Sequence, residues 1–128
     1  MIKRMLDTNI CIYIGKLHPP QVLHHLAQYR RGEIVISAIA WAEFSCGVAK
    51  SGKQAVDALL ELLDVVPFNQ QAAEIYAILT ARHPNRKTGF DRLIAAHAIA
   101  QGVPLVSNNT ADFSLYEENG LRLENWCD

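Results

Sequence analysis

Long apolar runs are missing from this sequence. No stretch approaches the roughly 18 residues that a membrane span needs, and the longest candidate, residues 93–99, contains His97. The opening Met-Ile-Lys-Arg starts like a secretory signal, but Asp7 and Asn9 interrupt the apolar stretch before it is long enough, so a soluble, cytoplasmic protein is expected. Cysteine is sparse. Cys11, Cys46 and Cys127 are odd in number, make no C-x-x-C pair and sit in or beside apolar runs, which argues against a disulfide framework and leaves packing as their reading. A strong charge of either sign is missing too. With 12 basic and 13 acidic residues the formal net charge is −1, so any contact with a polyanion must come from local charge or a bound cation. There is no internal repeat and no low-complexity linker.

What is present is an alternation of short apolar segments and helical patterns. The 128 residues read as a single domain, 1–128, able to bury roughly two-thirds of the surface its unfolded chain exposes, so no disulfide or structural zinc is needed. Residues 2–6 read as a strand, followed by Asp7-Thr8-Asn9 and a helix through 10–14. His18-Pro19-Pro20 breaks the chain, and a helix over 21–31 follows with Gly32 at its C′ position. Residues 34–36 form a second strand, and Ser37 is the N-cap of a helix over 38–50 that Ser51-Gly52 closes. Val56, Leu59, Leu60 and Leu63 form the stripe of an amphipathic helix over 53–63. Residues 65–68 give a third strand, and Asn69 caps a helix with Ala72, Ile75, Tyr76 and Leu79 on its apolar face, ended by His83-Pro84-Asn85. The strongest helical signal spans 91–101, stopped by Gly102 and Pro104. Residues 105–106 are a fourth strand, 107–112 a polar turn and 121–123 a candidate fifth strand. Strands alternating with helices imply an α/β sandwich with a parallel sheet covered on both faces. Its chemistry belongs beyond the carboxyl ends of the strands, where strand order reverses.

Acids stand where that edge would be. Asp7 directly follows the first strand, and Asp112 lies in the loop after the fourth. Glu43 sits between Ala42 and Phe44, where a solvated helix face would not put a lone acid, and Asp91 opens the run Asp-Arg-Leu-Ile-Ala-Ala-His-Ala. Each also has a structural reading. Asp7 can cap the first helix, Asp91 can pair with Thr88 in a capping box, Asp112 can brace a turn, and Glu43 can be a hydrogen-bonded or snorkelling acid. Clustered carboxylates in a partly buried cleft repel one another, and a cation resolves the repulsion. All-oxygen ligation selects Mg²⁺ or Mn²⁺. Zinc would favour histidine and cysteine, and neither the adjacent His24-His25 nor the core-like His97 supplies such a site.

Four segments carry a resemblance: Met-Leu-Asp-Thr-Asn, Ser-Ala-Ile-Ala-Trp-Ala-Glu-Phe, Phe-Asp-Arg-Leu-Ile-Ala-Ala-His-Ala and Leu-Val-Ser-Asn-Asn-Thr-Ala-Asp-Phe. In that order, and over essentially the whole chain, they resemble the PIN-domain nucleases, specifically the VapC toxins of bacterial toxin–antitoxin pairs. The resemblance implies a PIN-like three-layer α/β/α sandwich with a five-stranded parallel sheet. It also implies Mg²⁺- or Mn²⁺-dependent endoribonuclease activity and inhibition by a small VapB-type antitoxin, through which alone operator DNA would be bound. Asp7, Glu43, Asp91 and Asp112 match the family's acidic quartet. Asp7 and Asp91 are then the first choices as direct metal ligands, Glu43 is a ligand or water-orienting base, and Asp112 completes the shell or serves a second ion. Thr8 or Asn9, and Ser107 or Asn109, fall where the family often has polar residues supporting the metal or the scissile phosphate. Gly89-Phe90 departs from the Pro-Tyr expected before the third acid. The opening through Tyr13 and the terminal Leu-Arg-Leu-Glu-Asn-Trp-Cys are similar to the branch that cleaves initiator tRNA in its anticodon region.

Arg82, Arg86, Lys87 and Arg92 surround the helix start that carries Asp91, and read either as a grip on an RNA backbone or as a solvated loop. The leucine-rich stripes read as a homodimer or antitoxin groove, or as ordinary core. Two other classes compete. A catalytically silent PIN-fold binding module is disfavoured by the presence of all four acids. A phospho-receiver domain should end a middle strand with its phosphoacceptor, whereas Asp57 and Asp64 occupy or flank an amphipathic helix.

Overall fold

The computed structural model describes residues 1–48, 53–84 and 89–128. Its short strands are β1 (Arg4–Leu6), β2 (Ile34–Ser37), β3 (Asp64–Val66), β4 (Leu105–Val106) and β5 (Leu123–Glu124). They form one five-stranded sheet in the order β3-β2-β1-β4-β5, with every neighbouring pair parallel. Met5 lies in register with Val35 on one side and Leu105 on the other. Strands covered on both faces have no solvent side to make polar, and β2 accordingly is buried along its whole length. The strand order also separates this fold from a receiver domain, whose sheet runs 2-1-3-4-5.

The helices are α1 (Thr8–Lys16), α2 (Pro20–Leu26), α3 (Ala38–Val48), α4 (Lys53–Leu62), α5 (Gln70–Arg82), α6 (Asp91–Gln101) and α7 (Thr110–Phe113), the last continuing into a 3₁₀ segment at Ser114–Asn119. The chain runs one way across the sheet from β1 to β3 and the other way from β4 to β5. Right-handed crossovers therefore put α1–α4 on one face and α5–α7 on the opposite one. Packing agrees: α1 lies against α2, α3 and α4, and α6 lies against α5 and α7. Met5, Leu6, Ile36, Ile94 and Phe113 are buried between these layers, and the Trp126 indole stacks on His25 and Tyr29 with centroids 5.4 and 5.8 Å apart. Among the described residues no helix is long and apolar enough to cross a membrane.

Several boundaries differ from the sequence pattern for identifiable reasons. The second helix ends at Leu26, not at residue 31, because the chain turns: Glu33 N donates to Arg30 O at 3.0 Å while its carboxylate accepts from Arg30 N at 2.7 Å. Gly32, at φ +94°, serves that turn rather than a helix C′ position, whereas Gly102, at φ +69°, does terminate α6 as expected. β3 begins at Asp64 and stops before Pro67, which has no N–H to give a ladder. The turn after β4 becomes helical from Thr110, and the fifth strand is shifted to Leu123–Glu124 by its pairing with β4. Of the expected stripe, Leu59 in α4 and Leu63 just beyond it are buried, Leu60 is 39% exposed, and the Val56 side chain lies outside what is described. Cys11 is buried, but Cys46 is exposed, two residues from the buried Phe44 and so on the far side of α3. Ser51-Gly52 lies outside the described residues.

Candidate metal centre at the carboxyl edge of the sheet

β1 and β4 are neighbours whose following segments leave for opposite sides of the sheet, and a crevice at their carboxyl ends follows from that topology. Asp7 and Ser107 are the first residues beyond those two strands. Asp7 N donates to Val106 O at 2.9 Å, so the pairing holds up to the acid itself. The carboxylate is buried and doubly held. Oδ1 accepts from Thr8 N at 2.8 Å, which makes Asp7 the N-cap of α1, and Oδ2 accepts from the Ser107 hydroxyl at 2.9 Å. Capping and a place in the site are thus compatible in Asp7.

Glu43 is brought in by α3. Ser37 ends β2 and its Oγ accepts from Ile39 N at 3.1 Å, which starts the helix at the carboxyl edge. Six residues on, Glu43 Oε1 accepts from the Thr8 hydroxyl at 2.9 Å, so Thr8, at the β1–α1 junction, holds two different acids through its backbone and its side chain. Asn109 works on the other flank. Its backbone N donates to Ser107 Oγ at 2.9 Å and its Nδ2 donates to Asp112 Oδ2 at 2.7 Å. Asp112 is exposed on α7, and Asn9 is exposed on α1. Asp91 is half-buried as the first residue of α6. The N-cap there is Phe90, without a side-chain hydrogen bond, and the Thr88 of the suggested capping box lies outside the described residues.

Electrostatics show that the acids feel one another. Burial, and then the charges of Asp7 and Asp112, push the Asp91 carboxyl up to about 6. Burial also raises Glu43, against the lowering effect of the Thr8 hydrogen bond and with a contribution from the Asp91 charge. Asp7 is raised by burial, which outweighs the hydrogen bonds from Ser107 and Thr8, and Glu43 adds to the effect. The recorded ion pairs among the described residues, Lys3–Glu33, Arg4–Glu124, Arg31–Asp64 and His83–Glu118, all lie elsewhere. The predicted quartet therefore forms one electrostatic cluster.

Among the described residues no three Asp, Glu, His or Cys side chains already form a closed ligand set. The donors fit a hard divalent cation all the same. They are carboxylates with hydroxyl and amide neighbours, they are held at a common edge, and their mutual repulsion is what a cation would relieve.

The basic residues behave differently from their sequence pattern. Arg82 is exposed in the last turn of α5, and Arg86 and Lys87 lie outside the described residues. Arg92 corrects the expectation of an RNA contact. It is buried, and its guanidinium donates to Tyr116 Oη at 3.2 Å, Thr80 Oγ1 at 3.2 Å and His83 O at 2.8 Å. It braces α6 against the end of α5 and the 3₁₀ segment. The signal was available in the sequence, since Arg92 heads the same helix stripe as the buried Ala95 and Ala96.

A parallel β3-β2-β1-β4-β5 sheet with an acidic centre at its switch point defines a class of α/β protein built around carboxylates. Residues 4–118 match the PIN domain, and the chain belongs to the PIN-domain family, among the VapC ribonucleases. It is 35% identical to a protein named Ribonuclease VapC2 from Rickettsia felis, over 95% of this chain and 96% of that one. It is 34% identical to one named tRNA(fMet)-specific endonuclease VapC from Shigella flexneri, over 98% and 99% of the two chains. Among solved structures it resembles VapBC2 from Rickettsia felis bound to a promoter DNA fragment, with a TM-score of 0.81, 36% identity and 98% and 99% coverage. These findings bear out the family and the fold expected from the four sequence segments.

Proposed function

We propose that this chain is a Mg²⁺- or Mn²⁺-dependent endoribonuclease toxin that hydrolyses RNA phosphodiester bonds at the edge formed by Asp7, Glu43, Asp91 and Asp112. The observation that carries the reading is the Asp7 carboxylate, buried and fixed by Thr8 and Ser107 at the switch point of a VapC-type fold. A divalent cation, when bound, offsets the carboxylate charge and stabilises the charge that develops on the scissile phosphate. The chain's own residues supply geometry. Thr8 holds both Asp7 and Glu43, Ser107 orients Asp7, and Asn109 ties Asp112 to the same turn. Glu43, half-buried and with a raised carboxyl, is suited to accept a proton from an attacking water. Cleavage leaves 5′-phosphate and 3′-hydroxyl ends. Thr8, Asn9, Ser107 and Asn109 are the supporting polar set, and Arg82, Arg86 and Lys87 are the candidates for the RNA backbone.

The proposed substrate class is tRNA, with initiator tRNA cut in its anticodon region, in line with the relative named for tRNA(fMet). The proposed partner is a VapB-type antitoxin in the cytoplasm, through which operator DNA is reached, as the VapBC structure bound to promoter DNA suggests. The exposed Leu60 and Leu62 of α4 offer apolar surface for the antitoxin or for a second copy in a homodimer.

The test is cleavage of total tRNA by the purified, antitoxin-free chain with Mg²⁺ or Mn²⁺, with chelator, and with Asp7→Asn. Discrete fragments that require both the metal and Asp7 are expected. Asparagine caps a helix about as well as aspartate, so the variant should stay folded. No cleavage of tRNA or of a wider RNA panel by the folded wild-type chain would overturn the reading.

A further inference from the structure

α3 and α6 carry one acid each, Glu43 and Asp91, but the two helices start from opposite faces of the sheet. α6 packs along α5, whereas α3 packs mainly on α1 and α4 and meets α6 over a smaller contact. That smaller contact leaves the spacing of the two acids dependent on what ties α3 to α6. Repulsion between them acts to separate the helices that hold them.

A buried hydrogen bond crosses this division. His97, on α6, places Nδ1 2.7 Å from Ser37 Oγ, at the end of β2 and the start of α3, and both residues are fully buried. Ser37 Oγ also accepts from Ile39 N, and its remaining proton and lone pair allow it to bond His97 Nδ1 in either tautomer of the ring. Phe68 packs edge-on against the imidazole at 5.4 Å. The other ring nitrogen, Nε2, is buried and has no hydrogen-bond partner among the described residues. Burial holds the ring's pKa below the usual histidine range, which keeps it neutral. The spacing is symmetric. Ser37 precedes Glu43 by six residues and His97 follows Asp91 by six, so each partner stands about 9 Å along a helix axis from an acid. A helix is stiff over that length, and a bond fixed at one point of each rod sets the relative placement of the acids at the other.

We propose that Ser37 and His97 are a positioning pair, tying α3 to α6 so that Glu43 and Asp91 are held at the spacing a divalent cation needs. The proposal rests on the metal-dependent reading above and goes beyond it by assigning a role to two buried residues that touch neither substrate nor metal.

The experiment measures binding of Mn²⁺ alone to the metal-free chain by calorimetry, beside thermal unfolding and RNA cleavage at saturating Mn²⁺. His97→Leu occupies similar space without the bond, and His97→Asn keeps an amide at the Nδ1 place that can donate to or accept from Ser37 Oγ. The Leu variant is expected to fold, to bind Mn²⁺ about tenfold more weakly, and to lose kcat with little change in KM for RNA. The Asn variant is expected to recover most of that affinity. Wild-type Mn²⁺ affinity in the folded Leu variant, or equal losses in Leu and Asn, would show a packing role only and overturn the proposal. If His97→Leu does not fold, Ser37→Ala, with Ser37→Thr as its conservative control, decides the same question by the same criteria. The wild-type chain and Asp91→Asn separate the two readings. Mn²⁺ binding by the first and not by the second upholds the metal centre whatever His97 does, and no binding by the wild type overturns both.

Discussion

Ser107 Oγ donates to Asp7 Oδ2 at 2.9 Å, so the first residue beyond β4 orients the acid that follows β1. The bond spans the two strands at which the sheet changes direction. The serine also accepts from Asn109 N, which places it at the hub of the β1–β4 edge. Ser107→Ala removes that donor and leaves the Thr8 N–H cap in place. Cleavage is predicted to fall about 10- to 100-fold, with a loss of about 1–3 kcal/mol in stability that still leaves the chain folded. Parallel kcat/KM and thermal-melt measurements check this, and wild-type kcat/KM would show that the bond is dispensable.

Thr8 makes a separable contribution through its side chain. Its hydroxyl, and not its backbone, holds Glu43. Thr8→Val keeps the shape and the backbone donor to Asp7 but leaves one Glu43 oxygen without its partner, and a loss of about tenfold in cleavage is expected, by analogy with other removals of a group that orients a metal ligand. Thr8→Ser restores the hydroxyl and should restore the rate. Equal losses in the two variants would place the effect in packing.

The acid cluster makes the metal-free chain sensitive to pH in an unusual direction. Asp91 is pushed up to about 6 in the folded chain from an ordinary value of 3.8. The folded state therefore holds this proton more tightly than the unfolded state. Its stabilising effect is fully present below the unfolded value and is lost as pH rises through about 6. In metal-free buffer, the stability of wild type relative to Asp91→Asn should decline across that interval, read by thermal melts at a series of pH values. Mg²⁺ favours the ionised form and should reduce the decline. A difference that grows in favour of the wild type with rising pH would contradict the assignment.

Arg92 is predicted to matter for stability rather than for RNA. Arg92→Met leaves Tyr116, Thr80 and His83 without the guanidinium donors they share, at a cost of about 2–3 kcal/mol in denaturant unfolding. The salt dependence of RNA binding should be unchanged, since no phosphate contact is lost. A reduced salt slope would return Arg92 to the RNA surface.

Much of this protein was legible before folding because its signals are local. The caps at Asp7, Ser37 and Asn69 and the stop at Gly102 rest on short-range hydrogen bonding and on glycine's access to positive φ, and each appears in the structure. The acids were legible because a carboxylate among apolar neighbours, or directly after an apolar strand, needs an explanation that a solvated face does not supply. Errors arose where longer-range partners decided the outcome. Glu33 closes the turn that shortens α2, β4 sets the register of β5, and the burial of Arg92 depends on acceptors from α5 and the 3₁₀ segment.

The sequence by itself determined the alternation of strands and helices and the family resemblance, and it singled out the four acids proposed for the site, because periodicity, capping and residue chemistry are written along the chain. Only the tertiary structure decided which hydroxyl meets which acid: Ser107 with Asp7, 100 residues apart, and Thr8 with Glu43, 35 residues apart. Those pairings depend on the order in which parallel strands assemble and on the faces to which their crossovers deliver each helix. Neither is a property of any single segment.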